Sequence, residues 1–113
     1  MKVERSKERG SGMEPAVNEI YHELKYVFDP ETGVNIVDLG LIEKIETTGD
    51  GIVRIEMVFA TDDSDIIKQI CSGVVYAVSL VDGVKEVVIT KAEKKDWTPG
   101  RMNEQVKRDL IGT

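Results

Sequence analysis

The residues of this chain best suited to chemistry are oxygen donors gathered in two places. Asp62, Asp63 and Asp65 surround Ser64 directly after Thr61, and Asp29, Glu31, Thr32 and Asp38 lie in the interrupted stretch VFDPETGVNIVDLGLI from Val27 to Ile42. Converging carboxylates make a hard, oxygen-rich pocket suited to a divalent cation. Ser and Asp ahead of an apolar helical run also cap orphan backbone donors and complement the helix dipole. The capping reading takes precedence, and the three aspartates remain weak metal candidates. Asp38 divides between hydrogen bonding inside its own loop and contact with a partner. His22, the one histidine of the chain, falls opposite Ile20 and Leu24 on a helix and reads as a solvated residue rather than a ligand or base. With no nucleophile–base pair, phosphate loop or histidine-rich motif, no catalytic residue is expected.

The elements that must hold these residues follow from periodicity. Val17, Ile20, Tyr21, Leu24, Val27 and Phe28 recur at helical spacing, so a first helix is predicted from about Glu14 to Phe28, ended by Asp29-Pro30. Leu41 to Thr48 and Ile52 to Phe59 flank Gly49-Asp50-Gly51, and Val53, Ile55, Met57 and Phe59 alternate with Arg54, Glu56 and Val58, which predicts a hairpin. Ile66, Ile67, Ile70, Cys71, Val74, Val75, Val78 and Val81 mark a second amphipathic helix, opened by the acidic cluster and stopped at Asp82-Gly83. Val84 to Thr90 supplies a third strand, Trp97-Thr98-Pro99 a turn, and Asn103 to Leu110 a short last helix. The expected fold is α/β, more strictly α+β: a two-layer sandwich in α-β-β-α-β order, a three-stranded mixed sheet with helices on one face, and a C-terminal tail. Trp97 is expected to pack on its own sheet, with Arg101-Met102 sharing its place. The tail either lies across the polar sheet face or reaches a neighbouring chain, so monomer and homodimer both stand. Lys91, Lys94 and Lys95 beside Glu93 and Asp96 read as a solvated strand exit.

Composition narrows the function classes. The 113 residues carry 15 basic and 21 acidic side chains, a net charge of -6 that repels nucleic acid and anionic membranes. No segment has the length and uniformity of a membrane span. Residues 1–12 (MKVERSKERGSG) hold four cations against two acids and are expected to be a disordered tail, leaving 13–113 as a single domain with a charge of -8. The single Cys71 excludes an intramolecular disulfide and a four-thiolate site, and fits a cytoplasmic, reducing setting. Among Ile67, Ile70, Val74 and Val75 it reads as a buried core thiol.

Asp29-Pro30-Glu31, Gly33, Val37-Asp38-Leu39-Gly40-Leu41, the hairpin, the second helix, Asp82-Gly83-Val84 and Trp97-Thr98-Pro99 with Arg101-Met102 resemble, in order, the signature of the SufT/PaaD-like family of metal-sulfur cluster biosynthetic proteins. That family includes the eukaryotic cytosolic iron-sulfur targeting factors. The resemblance spans nearly all of Glu14 to Leu110. It implies a non-enzymatic accessory of iron-sulfur cluster assembly or delivery, with assembly or client proteins as partners. Alternatives are an accessory component of a multicomponent oxygenase, as PaaD-like relatives are, and an interaction module that has lost cluster chemistry. It also implies that Asp29, Glu31 and Thr32 approach the start of the second helix. Members usually carry Cys-Pro there, after a threonine matching Thr61; this chain has Ser64-Asp65. A serine hydroxyl forms no thiolate, so no tightly bound cofactor is expected, and a transient cluster or iron is in doubt at Ser64. The functional loop under this resemblance comprises Asp29, Glu31, Thr32, Asp38, Thr61 and Ser64.

Overall fold

The computed structural model describes residues 14–93 and 95–111; the predicted tail 1–12 and Lys94 lie outside them. Three helices, α1 (Val17–Leu24), α2 (Ser64–Ser79) and α3 (Glu104–Ile111), accompany three strands, β1 (Ile42–Thr47), β2 (Ile52–Met57) and β3 (Glu86–Lys91). The chain runs α1-β1-β2-α2-β3, then a single 3-10 turn (Pro99–Arg101) and α3, which is the α+β order expected from the sequence.

The sheet is mixed, in the order β1-β2-β3. β1 and β2 form the predicted antiparallel hairpin, with Ile45 opposite Ile55 and a register shift between Ile42 and Lys44. β2 and β3 are parallel, with Ile55 opposite Ile89, so α2 serves as the crossover that a parallel pair requires. Alternation then sorts the central strand: Val53, Ile55 and Met57 are fully buried, whereas Arg54 and Glu56 face water. Ile20 and Leu24 from α1 and Ile70, Val74, Ala77 and Val78 from α2 close over the apolar face. Each buried Ile, Leu or Val among them contributes about 1.5–3 kcal/mol by leaving water.

Gly51 joins the hairpin to the last strand. Its carbonyl accepts from the N–H groups of both Lys85 (2.8 Å) and Glu86 (3.2 Å). A Cβ on Gly51 would sit 2.5 Å from the Gly83 oxygen, and its φ of +87° lies in the left-handed region.

Two expectations need correcting. The first helix stops at Leu24, not Phe28. Val27 keeps its place in the core, but Phe28 leaves the helical path to form an isolated antiparallel bridge with Asn35 and is 55% exposed. Helical spacing persists through Phe28 in the sequence, but the chain turns earlier because the following loop pairs back on it. Cys71 is half-buried rather than enclosed. The buried stripe of α2 runs Ile70, Val74, Ala77 and Val78, which leaves Cys71 on its margin beside the exposed Val75.

Candidate functional site: an ordered acidic loop clamped by the C-terminal segment

A loop that leaves the sheet must still find partners for its backbone polar groups where it meets the core. Between Phe28 and Asn35 the chain closes on itself: the N–H of Asp29 donates to the Val34 oxygen (2.9 Å) and that of Gly33 to the Asp29 oxygen (2.8 Å). The Asp29 carboxylate fills the inside of this turn. It accepts from the N–H groups of Glu31 (3.4 Å) and Thr32 (3.2 Å) and from the Thr32 hydroxyl (2.8 Å), and only 5% of the residue is exposed. Asp29 therefore organises the loop from within, and Thr32 is engaged with it. Glu31 is left pointing its side chain to water.

The second half of the loop is fastened in the same way. Asn35 donates from Nδ2 to the Asp38 carboxylate (2.9 Å) and accepts the Asp38 N–H on Oδ1 (2.9 Å). The N–H groups of Leu39, Gly40 and Leu41 donate to the oxygens of Asn35, Val37 and Ile36. Ile36, Leu39 and Leu41 are buried in the main core. Asp38 thus serves its own loop through a side-chain pair with Asn35.

A segment about 60 residues later completes the loop, a feature no local sequence signal announces. Three consecutive carbonyls, those of Asp38, Leu39 and Gly40, each accept one hydrogen bond from it. The donors are the Asn103 N–H (2.9 Å), the Trp97 indole N–H (2.8 Å) and the Arg101 Nε (2.8 Å). Arg101 also pairs with Glu43 at 2.9 Å, and Lys95 approaches the other Glu43 oxygen at 3.4 Å. Met102 is buried in the core beside this clamp. The C-terminal segment accordingly packs on its own chain, against the loop rather than across the polar sheet face.

The Arg101 hydrogen bond, opposed by burial and supplemented by Lys95, holds the Glu43 carboxyl below its usual range. A depressed carboxyl pKa stabilises the fold above the ordinary carboxylate range, and that contribution is lost as pH falls through the lowered value. Thermal denaturation followed from neutral to acid pH should show a modest decline below the ordinary carboxylate range, and Glu43→Gln should remove part of it.

The acidic cluster resolves into a cap. Asp63 is the N-cap of α2, with Oδ1 accepting from the N–H groups of Asp65 (2.9 Å) and Ile66 (3.3 Å), while the Asp63 N–H donates to the Thr61 hydroxyl (3.1 Å). Ser64 is the first helical residue, and Asp62, Ser64 and Asp65 are exposed. Removing the cap with Asp63→Ala should lower stability by about 1 kcal/mol, read as a shift in the urea midpoint. Among the described residues no group of three or more His, Cys, Asp and Glu is arranged to hold a metal ion. The hydrogen bonds of Asp29 and Thr32 stay inside their own turn, and those of Thr61 and Asp63 inside theirs. None of these hydrogen bonds joins the loop acids to the helix start.

Burial pushes the Cys71 thiol up from its ordinary pKa, which leaves it protonated and poorly nucleophilic at neutral pH. His22 is exposed, its ring edge-on to Tyr26 at 5.8 Å.

Comparison with known proteins places this arrangement. The sequence pattern of the family described as iron-sulfur cluster assembly protein matches residues 18–90. An Fe-S protein maturation auxiliary factor from Porphyromonas gingivalis is 33% identical over 92 residues, covering 81% of this chain and 88% of that protein. A factor of the same description from Bacillus subtilis is 31% identical over 96 residues, covering 84% and 94%. A solved structure from Bacillus anthracis, described as a domain of unknown function, superposes with a TM-score of 0.75 at 29% identity, covering 84% of this chain and 90% of that one. The chain, with its clamped Asp-Leu-Gly loop and mixed sheet, belongs to the iron-sulfur cluster assembly protein family.

Proposed function

We propose that this chain is a non-catalytic auxiliary factor in the maturation of iron-sulfur proteins, and that it recognises assembly or client proteins through its ordered loop and the start of α2. The observation that carries the reading is the doubly fastened loop. Its Asp29 and Asp38 are spent on internal order, and its backbone is held by Trp97, Arg101 and Asn103. A rigid polar loop on a packed scaffold is where recognition is achieved at low entropic cost. Glu31, on this loop, and Thr61 and Ser64 at the helix start are the residues that meet the partner.

The chemistry of the donor set fits an accessory better than a cluster carrier. Serine stands first in α2, and the half-buried thiol seven residues on is held protonated. Iron or a cluster is then cargo that partner proteins ligate, and no cofactor resides on this chain. The relatives named as maturation factors favour this reading over an accessory of a multicomponent oxygenase. The assignment is to the cytoplasm, where single-cysteine proteins of this kind stay reduced.

Anaerobic affinity capture from the native cells tests it, with bound proteins identified by mass spectrometry and compared with a Glu31→Ala, Ser64→Ala double variant. Both replaced side chains are exposed, so the fold is kept. Recovery of sulfur-mobilising, scaffold or cluster-requiring proteins, lost in the variant, supports the proposal. Recovery of the same proteins by the variant moves the recognition surface elsewhere, and recovery of none of them overturns the role.

A further inference from the structure

A second surface lies where the chain leaving α1 meets α2. The chain leaving α1 and the outer side of α2 enclose an open groove of about 680 Å³. Its walls are large apolar side chains left in water: Tyr26 (66% exposed), Phe28 (55%), Tyr76 (70%) and Leu80 (59%). At its floor Val27 lies on Gly73, close enough that a Cβ there would sit 3.0 Å from Val27 Cγ1. The small residue lets the chain leaving α1 pack closely on α2. Contiguous apolar patches of this kind on a small domain mark interaction sites.

Among the described residues, the carboxylates at the margin of the groove meet no lysine or arginine lining it. Glu23 lines it, and a shallower depression of about 390 Å³ shares Glu23 and Leu80 and adds Glu19 and Asp82. Among the described residues no lysine or arginine lines either depression, and His22 lines the shallower one. A second copy of this chain would bring its own net charge of -6 and the same acidic margin to a two-fold contact. Phosphate-bearing surfaces are repelled for the same reason.

We propose that this groove docks an amphipathic helix of a partner protein, with bulky aliphatic side chains between Tyr26, Phe28, Tyr76 and Leu80 and lysine or arginine on the flank facing Glu19 and Glu23. Anchors at helical spacing laid into an apolar groove are an established way for a helix to be bound. The bridge between Phe28 and Asn35 makes one wall of the groove continuous with the clamped loop, so a docked helix and a loop-bound partner occupy neighbouring surfaces. The groove assignment does not depend on the iron-sulfur reading and can fail without it.

The test uses the isotopically labelled full chain and two synthetic peptides of about five helical turns. Both carry leucines at helical spacing; one has lysine flanks and the other has glutamate at the same positions. The lysine-flanked peptide should shift the amides of Gly73, Tyr76, Ala77 and Leu80 and bind at least tenfold more tightly than its glutamate twin, with affinity falling as salt rises. Tyr76→Ala, at a mostly exposed position, should weaken it about tenfold. Equal binding of the two peptides, shifts mapping away from these residues, or unchanged affinity in Tyr76→Ala overturns the proposal. So does a free chain that sediments as a dimer with these same amides protected.

Discussion

Gly40→Ala is expected to be the most damaging single-methyl change in the described chain, lowering stability by about 3–5 kcal/mol. Two effects add. At φ +83° the backbone of Gly40 is in the left-handed region, where an alanine costs about 1–2 kcal/mol. The larger effect is collision: the new methyl would lie 2.2 Å from the Arg101 oxygen and 2.6 Å from its carbonyl carbon. A backbone group cannot swing aside as a side-chain tip can. Arg101 is fixed by its own N–H to the Thr98 oxygen and by Nε to the Gly40 oxygen, so relief requires the C-terminal segment to lift from the loop. Gly33→Ala is the internal control. Gly33 has φ +73° but nothing within 4 Å of the added methyl, so only the backbone preference is charged, about 1 kcal/mol. Thermal melting should place Gly33→Ala a few degrees below wild type and Gly40→Ala about 15 °C or more below it. Equal shifts in the two variants would show that the Arg101 contact does not hold the loop.

Asp29→Ala should follow, at about 2–3 kcal/mol. Its carboxylate is the common acceptor for the Glu31 and Thr32 amides and the Thr32 hydroxyl, at a site almost closed to water. Removing it orphans these donors and empties the centre of the turn. Hydrogen bonds to a charged acceptor exceed neutral ones; the exposure of Glu31 and Thr32 lets water take up part of the loss. Asp29→Asn keeps one acceptor oxygen and should cost about half as much. The same pair separates the loop's order from its charge. If Asp29→Ala abolishes partner capture and Asp29→Asn retains it, the residue acts by shaping the loop, as its burial requires. If both abolish capture with the fold intact, its charge reaches the partner directly. Native-state hydrogen exchange at Thr32 and Gly33 reports whether the turn has opened.

Much of this architecture was legible in the sequence because it rests on local signals. Alternation of Val53, Ile55 and Met57 against Arg54 and Glu56 gave the hairpin and its buried face, and the aspartates before Ile66 gave the start of α2. Where the reading failed, pairing or packing outside the helical or strand pattern had intervened. The helical spacing of Val27 and Phe28 continues past the point where the Phe28 to Asn35 bridge pulls the chain away. An Asp-Pro pair signals a turn, but not that Asp29 is turned inward as its acceptor. Cys71 falls one residue off the buried stripe, an offset that apolar neighbours in sequence do not reveal. The clamp is harder still, since Trp97 and Arg101 reach Leu39 and Gly40 across about 60 residues. The exposed Tyr26, Phe28, Tyr76 and Leu80 were equally hidden, because apolar residues near a helix stripe are read as core until the packing shows which of them it has no room for.

The proposed role is support of iron-sulfur protein maturation without a thiolate of the chain's own at the head of α2. The direct measurement is the specific activity of a cluster-requiring hydro-lyase in native cells lacking the chain, with the amount of hydro-lyase polypeptide measured alongside. Activity per polypeptide should fall several-fold in such cells, be restored by the unaltered chain with serine at position 64, and not be restored by Glu31→Arg. Unchanged activity in the absence of the chain, or restoration only after Ser64→Cys, would contradict the proposed role.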